Sequence, residues 1–485
     1  MFFTLFEKEL KAILLSPKFV VTFGICSVLI LLSVLIGVQE YQANVDQYET
    51  AIQLADQEVR EATSWWGINN KAYRKPNALQ IFASGVNNDI GRLSNISTWR
   101  EVKLRQSVYL DNSLFALFRF IDFTFIVQVV LSLFAILFTY DAINGERESG
   151  TLKLTFSNAV PRAQYILAKF AGATTGLIVP LLIPIALALL IVMVMDVPMT
   201  GVEWWKLLAL IGTSLLYFTF FIVLGLLVSA MTRRSSVSFL VLLVAWVLFV
   251  LILPRAATMA AGQIVHVPSI AEVESQKDRY RTDRWSSFWE ERQERWRDNM
   301  AQMEGMDEEE RDEYRAEHQE EWAQADDDAR QLAQEDMAEF ERKTNEDLNN
   351  RKGEQERLAF TLSRFSPSSA YQLATMNLAG TNTTLKARYE ESMKAYRTSF
   401  SQFVDDKREE ERKRSRQQQS GQRTVIRFGG GDQSLDVSEL PRYEAPESTF
   451  TEAIRPSIVD IGLLALFSIV CFGGAFTMFL RYDVR

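Results

Sequence analysis

The side chains that carry most enzyme chemistry are scarce in this 485-residue chain and badly spaced for it. Its histidines are His266 and His318, and its cysteines, Cys26 and Cys471, both sit inside apolar runs. Neither pair has the ligand spacing of a zinc site or the look of a disulfide framework. A nucleotide-binding loop needs Gly-x-x-x-x-Gly-Lys-Ser/Thr, whose backbone amides and lysine hold the phosphates. None occurs, and the run Gly429-Gly-Gly431 lacks the lysine. No catalytic residue, metal ligand or directly bound cofactor is therefore assigned. The formal net charge of −9 gives no sign of nucleic-acid binding.

Polar residues are grouped most tellingly in Asp141-Ala-Ile-Asn-Gly-Glu146-Arg-Glu-Ser-Gly150-Thr-Leu-Lys-Leu-Thr-Phe-Ser157. Gly145 and Gly150 permit backbone that β-branched residues could not adopt. The stretch 151–156 can form a short amphipathic element along a membrane surface. Such a loop could present Glu146, Arg147 and Glu148 to a soluble partner while its apolar side stays anchored. On that reading Glu146→Arg with Glu148→Arg uncouples the partner without unfolding the chain. The plain alternative is an ordinary basic connector between spans. At the N-terminus Phe2, Phe6, Leu10 and Ile13 form an apolar stripe beside Glu7, Lys8, Glu9 and Lys11, the pattern of an interfacial amphipathic helix over residues 1–18.

These groups need a frame, and the apolar residues supply one. A bilayer core of about 30 Å takes roughly 20 helical residues to cross. Six runs qualify: 19–38, 120–140, 166–195, 204–231, 237–253 and 458–480. The third contains Pro180 and Pro184, which neighbouring helices tolerate in a membrane, and the fourth opens on Trp204 and Trp205, suited to the headgroup boundary. The first run is longer than a signal-peptide core and has no clear small-x-small site before Gln39, so it is read as a retained helix.

Lys8, Lys11, Lys18, Arg147, Lys153, Arg162, Arg233, Arg234, Arg481 and Arg485 all fall on one side of a six-span topology. By the positive-inside rule both termini, the loop 141–165 and the tail 481–485 are cytoplasmic. The segments 39–119 and 255–455 are then extracytoplasmic. Within the second, residues 271–360 hold 29 acidic against 15 basic residues, with sparse aromatics at helical spacing. They read as long solvated helices meeting along a thin seam. Residues 412–450 read as flexible. The fold class expected is an all-α integral membrane protein with six transmembrane helices and a large, mainly helical extracytoplasmic domain.

Ionisable groups in the spans are few. Asp122, Lys169 and Asp460 lie near span ends, where they are expected to reach the interface, and the deeper Gln128, Ser132, Thr174, Thr175 and Ser468 read as helix-packing contacts. This argues against transport driven by an ion gradient.

The tract Gly-Glu-Arg-Glu-Ser-Gly-Thr-Leu-Lys at 145–153 resembles the loop after the second span of ABC-2 type permeases. That resemblance implies a coupling helix docking on a separate ATPase, with Glu146, Arg147, Glu148, Gly150, Thr151 and Leu152 at or beside the contact. ATP and Mg would then act through that partner. The N-terminal stripe is similar to the connecting helix of such permeases. Phe82-Ala-Ser-Gly85 with Gly91-Arg92, and Ser366-Pro-Ser-Ser with Leu378-Ala-Gly-Thr381, resemble a branch of the family with large outer segments. The family implies a second permease subunit, a prokaryotic cytoplasmic membrane and outward transport of an unidentified substrate, which the lack of a charged binding site in the spans suggests is hydrophobic or amphipathic. The alternative is a mechanotransmission or scaffold protein acting on a periplasmic partner.

Overall fold

Six helices are long and apolar enough to cross a membrane: Pro17–Arg60, Phe123–Glu148, Arg162–Val194, Gly201–Met231, Ser235–Ile264 and Phe450–Leu480. They come from a computed structural model that describes residues 1–97, 102–106, 121–158, 160–419 and 435–481. The Gly429-Gly-Gly431 run, residues 107–119 and the tail with Arg485 lie outside the described residues. With these helices and one small hairpin of strands, the all-α membrane fold expected from the sequence holds.

Local chemistry sets the helix starts. An amphipathic helix α1 (Phe2–Leu14) leads to α2 (Pro17–Arg60), where the Ser16 hydroxyl accepts from Phe19 N and Pro17 fills the first turn. The second span runs through α3 (Phe123–Phe125), a π-helical turn Ile126–Leu131 and α4 (Ser132–Thr139). Two short helices follow, α5 (Asn144–Glu148) and α6 (Thr151–Ser157), then α7 (Arg162–Val194) and α8 (Gly201–Met231). A Thr200/Glu203 capping box starts α8. The fifth span comprises α9 (Ser235–Trp246), a second π-helical turn Val247–Ile252 and α10 (Leu253–Ile264). After α11 (Ile270–Gln302), α12 (Glu308–Ser363), α13 (Pro367–Ala379) and α14 (Leu385–Gln419), the chain ends in α15 (Phe450–Leu480), which opens on a Thr449/Glu452 capping box.

The described chain separates into two compact units, Met1–Ile252 with Arg364–Arg485, and Leu253–Ser363. In the first unit the spans share one apolar core, from Cys26, Ile30 and Val34 through Leu131, Leu177 and Phe221 to Leu464. The segment 255–455 does not behave as one domain. Its part α13 is buried in the span core, with Ala370, Tyr371, Ala374 and Leu378 fully covered. Tyr371 stacks on Tyr217 of α8 at 4.5 Å and shares a hydrogen bond with Ser214. The Gln128 amide in the π-helical turn donates to Ser368, and Trp246 Nε1 donates to Ser132. Hydropathy misses α13 because 13 residues are too few for a span, and its hydroxyls find partners only in the folded bundle.

The two outer motifs singled out in the sequence meet. Thr381 O accepts from Val86 N at 3.0 Å, and the Thr381 hydroxyl donates to Ala83 O. Gly85 has φ +49°, and a Cβ there would sit 2.3 Å from Thr381 O, so only glycine allows this junction. Asp122, starting the second span, accepts from Ser84 N and Oγ and is thereby fixed to the same knot.

Beyond the spans, α2 continues for 18 residues past Gln42, whose amide donates to Met195 O at the end of α7. At about 1.5 Å per residue that projection is about 27 Å. It packs with the antiparallel pair β1 (Asn70–Tyr73) and β2 (Leu93–Ile96), with α14 and with residues 435–445 around Trp65, Ile96, Tyr396 and Phe400. Described residues of the segment 39–106 and of the end of 255–455 thus build one small subdomain.

The second unit is the acidic insert. Its helices α11 and α12 meet along a thin seam, with Tyr280 stacked on Phe340 at 4.0 Å, Arg284 paired with Asp336 and Arg292 with Asp326. Such exposed pairs contribute little each, so the seam rests on its few buried apolar residues, Phe288 among them.

Candidate functional site

The end of the bundle that carries both chain termini holds the densest polar network, and the 141–158 tract is its centre. Span 2 stops at Tyr140, and the chain turns so that Ile143 N and Asn144 N both donate to Ser229 Oγ near the end of α8. The Asn144 amide donates to Thr232. The Glu148 carboxylate accepts from Ser235 N at 2.9 Å and Ser235 Oγ at 2.8 Å, capping the start of α9. Gly150, at φ +76°, separates α5 from α6.

Glu146 is turned inward. One of its oxygens accepts from Lys8 Nζ at 2.6 Å and Lys169 Nζ at 3.0 Å, and the other from Tyr165 OH at 2.6 Å. Lys169 also pairs with Glu9 at 2.6 Å, and its side chain is only 5% exposed. The network therefore alternates Lys8, Glu146, Lys169 and Glu9, with each buried charge met by an opposite one. It rests on an aromatic floor: Tyr165 stacks on Phe479 of α15 at 5.0 Å, and Phe156 of α6 leans on both rings. Leu152 and Ile143 complete this small core, and Arg162 donates to Leu480 O.

The helix α1 belongs to the same network. Its expected stripe, Phe2, Phe6, Leu10 and Ile13, is half-buried except for fully covered Ile13. This face lies against α7 at Gly172 and Gly176, where α1 approaches so closely that a Cβ on Gly172 would stand 2.5 Å from Glu9 Cβ. Small residues four apart permit such an approach between helices in a membrane. Gly172→Val should push α1 away, remove Glu9 from Lys169 and cost about 1–3 kcal/mol, read as a lower melting temperature in detergent.

The sequence-predicted site residues thus divide. Thr151 and Lys153 are exposed on α6, and Leu154 is 67% exposed. Glu148 is exposed but holds α9, Arg147 is half-buried and Leu152 is buried. Glu146 is committed to an internal network rather than held out to a partner. Sequence reading missed Lys8, Lys169 and Tyr165 as its partners and Glu9 as the second partner of Lys169, although charges at Lys8 and Glu9 beside an apolar stripe were visible.

Two further expectations are corrected. The side chains of Lys169 and Asp460 are turned into the bundle and not out to its surface. Asp460 has no exposed surface and accepts from Arg364 Nε at 2.6 Å and Nη2 at 3.3 Å. The helix α15 begins at Phe450, so Asp460 lies about 15 Å along it, deeper than a hydropathy window starting at 458 implied. Burial is tolerated because Arg364, 96 residues earlier, supplies a two-pronged counter-charge.

Comparison with known proteins bears on this arrangement. A family model described as ABC-2 family transporter protein matches residues 3–484. The chain is also similar to the probable ABC transporter permease protein NosY of Stutzerimonas stutzeri, at 35% identity over 127 residues. That alignment spans 25% of this chain and 45% of the relative.

Proposed function

The chain belongs to the ABC-2 family of transporter proteins, and on that premise we propose that it is a permease subunit in which α6 receives the stroke of a separate ATPase. The family implies an ABC ATPase as partner, and permeases of this kind are generally the non-catalytic membrane half. One observation carries the placement of the contact: α6 exposes Thr151, Lys153 and Leu154 while Leu152 and Phe156 on its other face pack on the aromatic core beneath a polar network. That network touches α1 and the ends of α7, α8, α9 and α15.

A push on α6 is therefore passed to several spans at once. The Glu146–Lys169 pair carries it to α7, Ser229 to α8, Ser235 to α9 and the Phe156–Phe479 contact to α15. A transition of this sort moves packed elements between discrete arrangements, and nucleotide must favour one of them. In our reading the termini are cytoplasmic, the membrane is the prokaryotic inner membrane, and ATP and Mg act only within the partner. Two permeases, identical or sister copies, face each other and export a hydrophobic or amphipathic substrate. The buried ionisable groups described within the bundle are already engaged, Lys169 and Asp460 by opposite charges and Asp122 and Lys206 by hydrogen bonds to Ser84 and Ser448, which supports such a substrate over a small ion.

The test purifies the tagged full chain from its native membranes in mild detergent and identifies what comes with it. A stoichiometric ATPase is expected. Leu154→Glu, on an exposed site, should weaken ATPase retention at least tenfold with an unchanged melting temperature. Full retention by this variant would remove α6 from the contact, and absence of any ATPase would remove the permease reading itself.

A mechanotransmission role is supported by a different observation, the tight knot between Asp122, the 82–85 turn and Thr381. It joins the start of span 2 to the projecting subdomain, so span motion must be felt there. ATP-dependent movement of a lipid or amphipathic probe across liposomes favours export. ATP-dependent change in the subdomain without such movement favours mechanotransmission.

A further inference from the structure

The projecting subdomain holds a cavity of about 200 Å³ bordered by α2, the turn after β1 and the start of β2. Arg74, Lys75, Arg92, Gln80 and Tyr48 line it, and no carboxylate is among the described lining residues. Arg74 is 8% exposed. Both its Nη groups donate to Asn87, one to the side-chain oxygen and one to the backbone oxygen, each at 2.7 Å. Its Nε has no partner, and neither has Nε2 of Gln80, itself 8% exposed.

A buried guanidinium is normally met by a carboxylate, because an uncompensated internal charge costs several kcal/mol. Here its fixed partner is a neutral asparagine, and Lys75 and Arg92 add further positive charge. Burial, helped by nearby Arg92, pulls the Arg74 guanidinium down to about 10, still fully charged at neutral pH. A cavity lined by Arg74, Lys75 and Arg92 with no carboxylate, and with two unpartnered donors buried in its wall on Arg74 and Gln80, describes half of an anion site.

Position narrows the anion. The α2 residues on the cavity wall, Asn44 to Ala51, lie two to nine residues past Gln42, which marks the end of α7. At helical rise that is about 3–14 Å beyond the spans, the depth of lipid headgroups. Several donor-bearing residues in one wall, Arg74, Lys75, Gln80 and Tyr48, suit the several oxygens of a tetrahedral group better than a planar carboxylate.

We propose that this cavity binds a phosphate group, presented by a lipid headgroup or carried on a soluble molecule. Nothing in the ATPase assignment is needed for it. The decisive variant is Gln80→Glu. It keeps the oxygen that accepts from Asn87 Nδ2, removes the unpartnered donor and places a carboxylate beside Arg74.

Two probes separate the sources. Inorganic phosphate is titrated calorimetrically against the full chain in dodecylmaltoside micelles, which contain no phosphate. Phosphatidic acid retention is measured by native mass spectrometry after extraction from phosphatidylcholine nanodiscs doped with it. Saturable binding of the first identifies a soluble ligand, and retention of the second alone identifies a headgroup. In either case Gln80→Glu should bind at least tenfold more weakly, Lys75→Gln a few-fold more weakly, and Gln80→Glu should melt no lower than the parent. Unchanged binding in Gln80→Glu, or no binding of either probe, overturns the proposal.

Discussion

Arg364→Met is expected to remove about 3–5 kcal/mol of stability, because it strands the Asp460 carboxylate inside the bundle with no counter-charge. Asp460 has no exposed surface, and its counter-charge among the described residues is Arg364, which donates two hydrogen bonds to it. The carboxylate would have to stay unpaired, take up a proton or draw in water, and each alternative is costly in an apolar surround. The double variant Arg364→Met/Asp460→Leu removes both charges, and replacing a buried pair by apolar residues is often neutral or stabilising. It should therefore recover most of the loss. Melting of the detergent-solubilised chain measures both. A single variant within about 0.5 kcal/mol of the parent would mean the pair is hydrated and contributes only as a surface bridge does.

The second large effect concerns Glu146. Glu146→Arg places a third cation against Lys8 and Lys169 and takes the acceptor from Tyr165. A cost of about 3–5 kcal/mol is expected, as for breaking a buried pair and inverting its sign. Glu148→Arg, on an exposed residue, loses only the cap on Ser235 and should cost far less. The sequence led us to treat these two carboxylates alike and to expect that reversing both leaves stability unchanged. The fold separates them: Glu146 holds the network together, and Glu148 holds one helix start. Chemical denaturation of the two single variants distinguishes these roles, and equal small losses would return Glu146 to the surface.

The two effects have one physical origin. Among the described residues, the ionisable groups buried in the bundle are held by partners from distant segments. Lys169 meets Glu9 across 160 positions, Asp460 meets Arg364, and Asp122 meets the turn at Ser84. Such contacts join elements that no stretch of sequence relates. They also explain why few deep charges were visible as a working path: each is already committed to holding two elements together.

What the sequence by itself determined is the membrane class and the number of spans. A run of about 20 apolar residues has one stable solution in a bilayer, a helix with its backbone bonded internally. Length and composition suffice to recognise that, so the six spans, the amphipathic α1 and the seam of α11 with α12 were legible without coordinates. Family membership was legible too, because the tract 145–153 and the outer motifs are contiguous strings. Tertiary structure alone decided where charges point and what the strings touch. Glu146 sits two residues from exposed Glu148 in sequence yet faces Lys169. Gly85 and Thr381 lie 296 positions apart yet meet through one backbone oxygen, and α13 is too short to register as a span yet is buried among six. Hydropathy sums the cost of each residue against lipid or water. The partner that offsets that cost comes from elsewhere in the chain, and only the folded molecule brings it there.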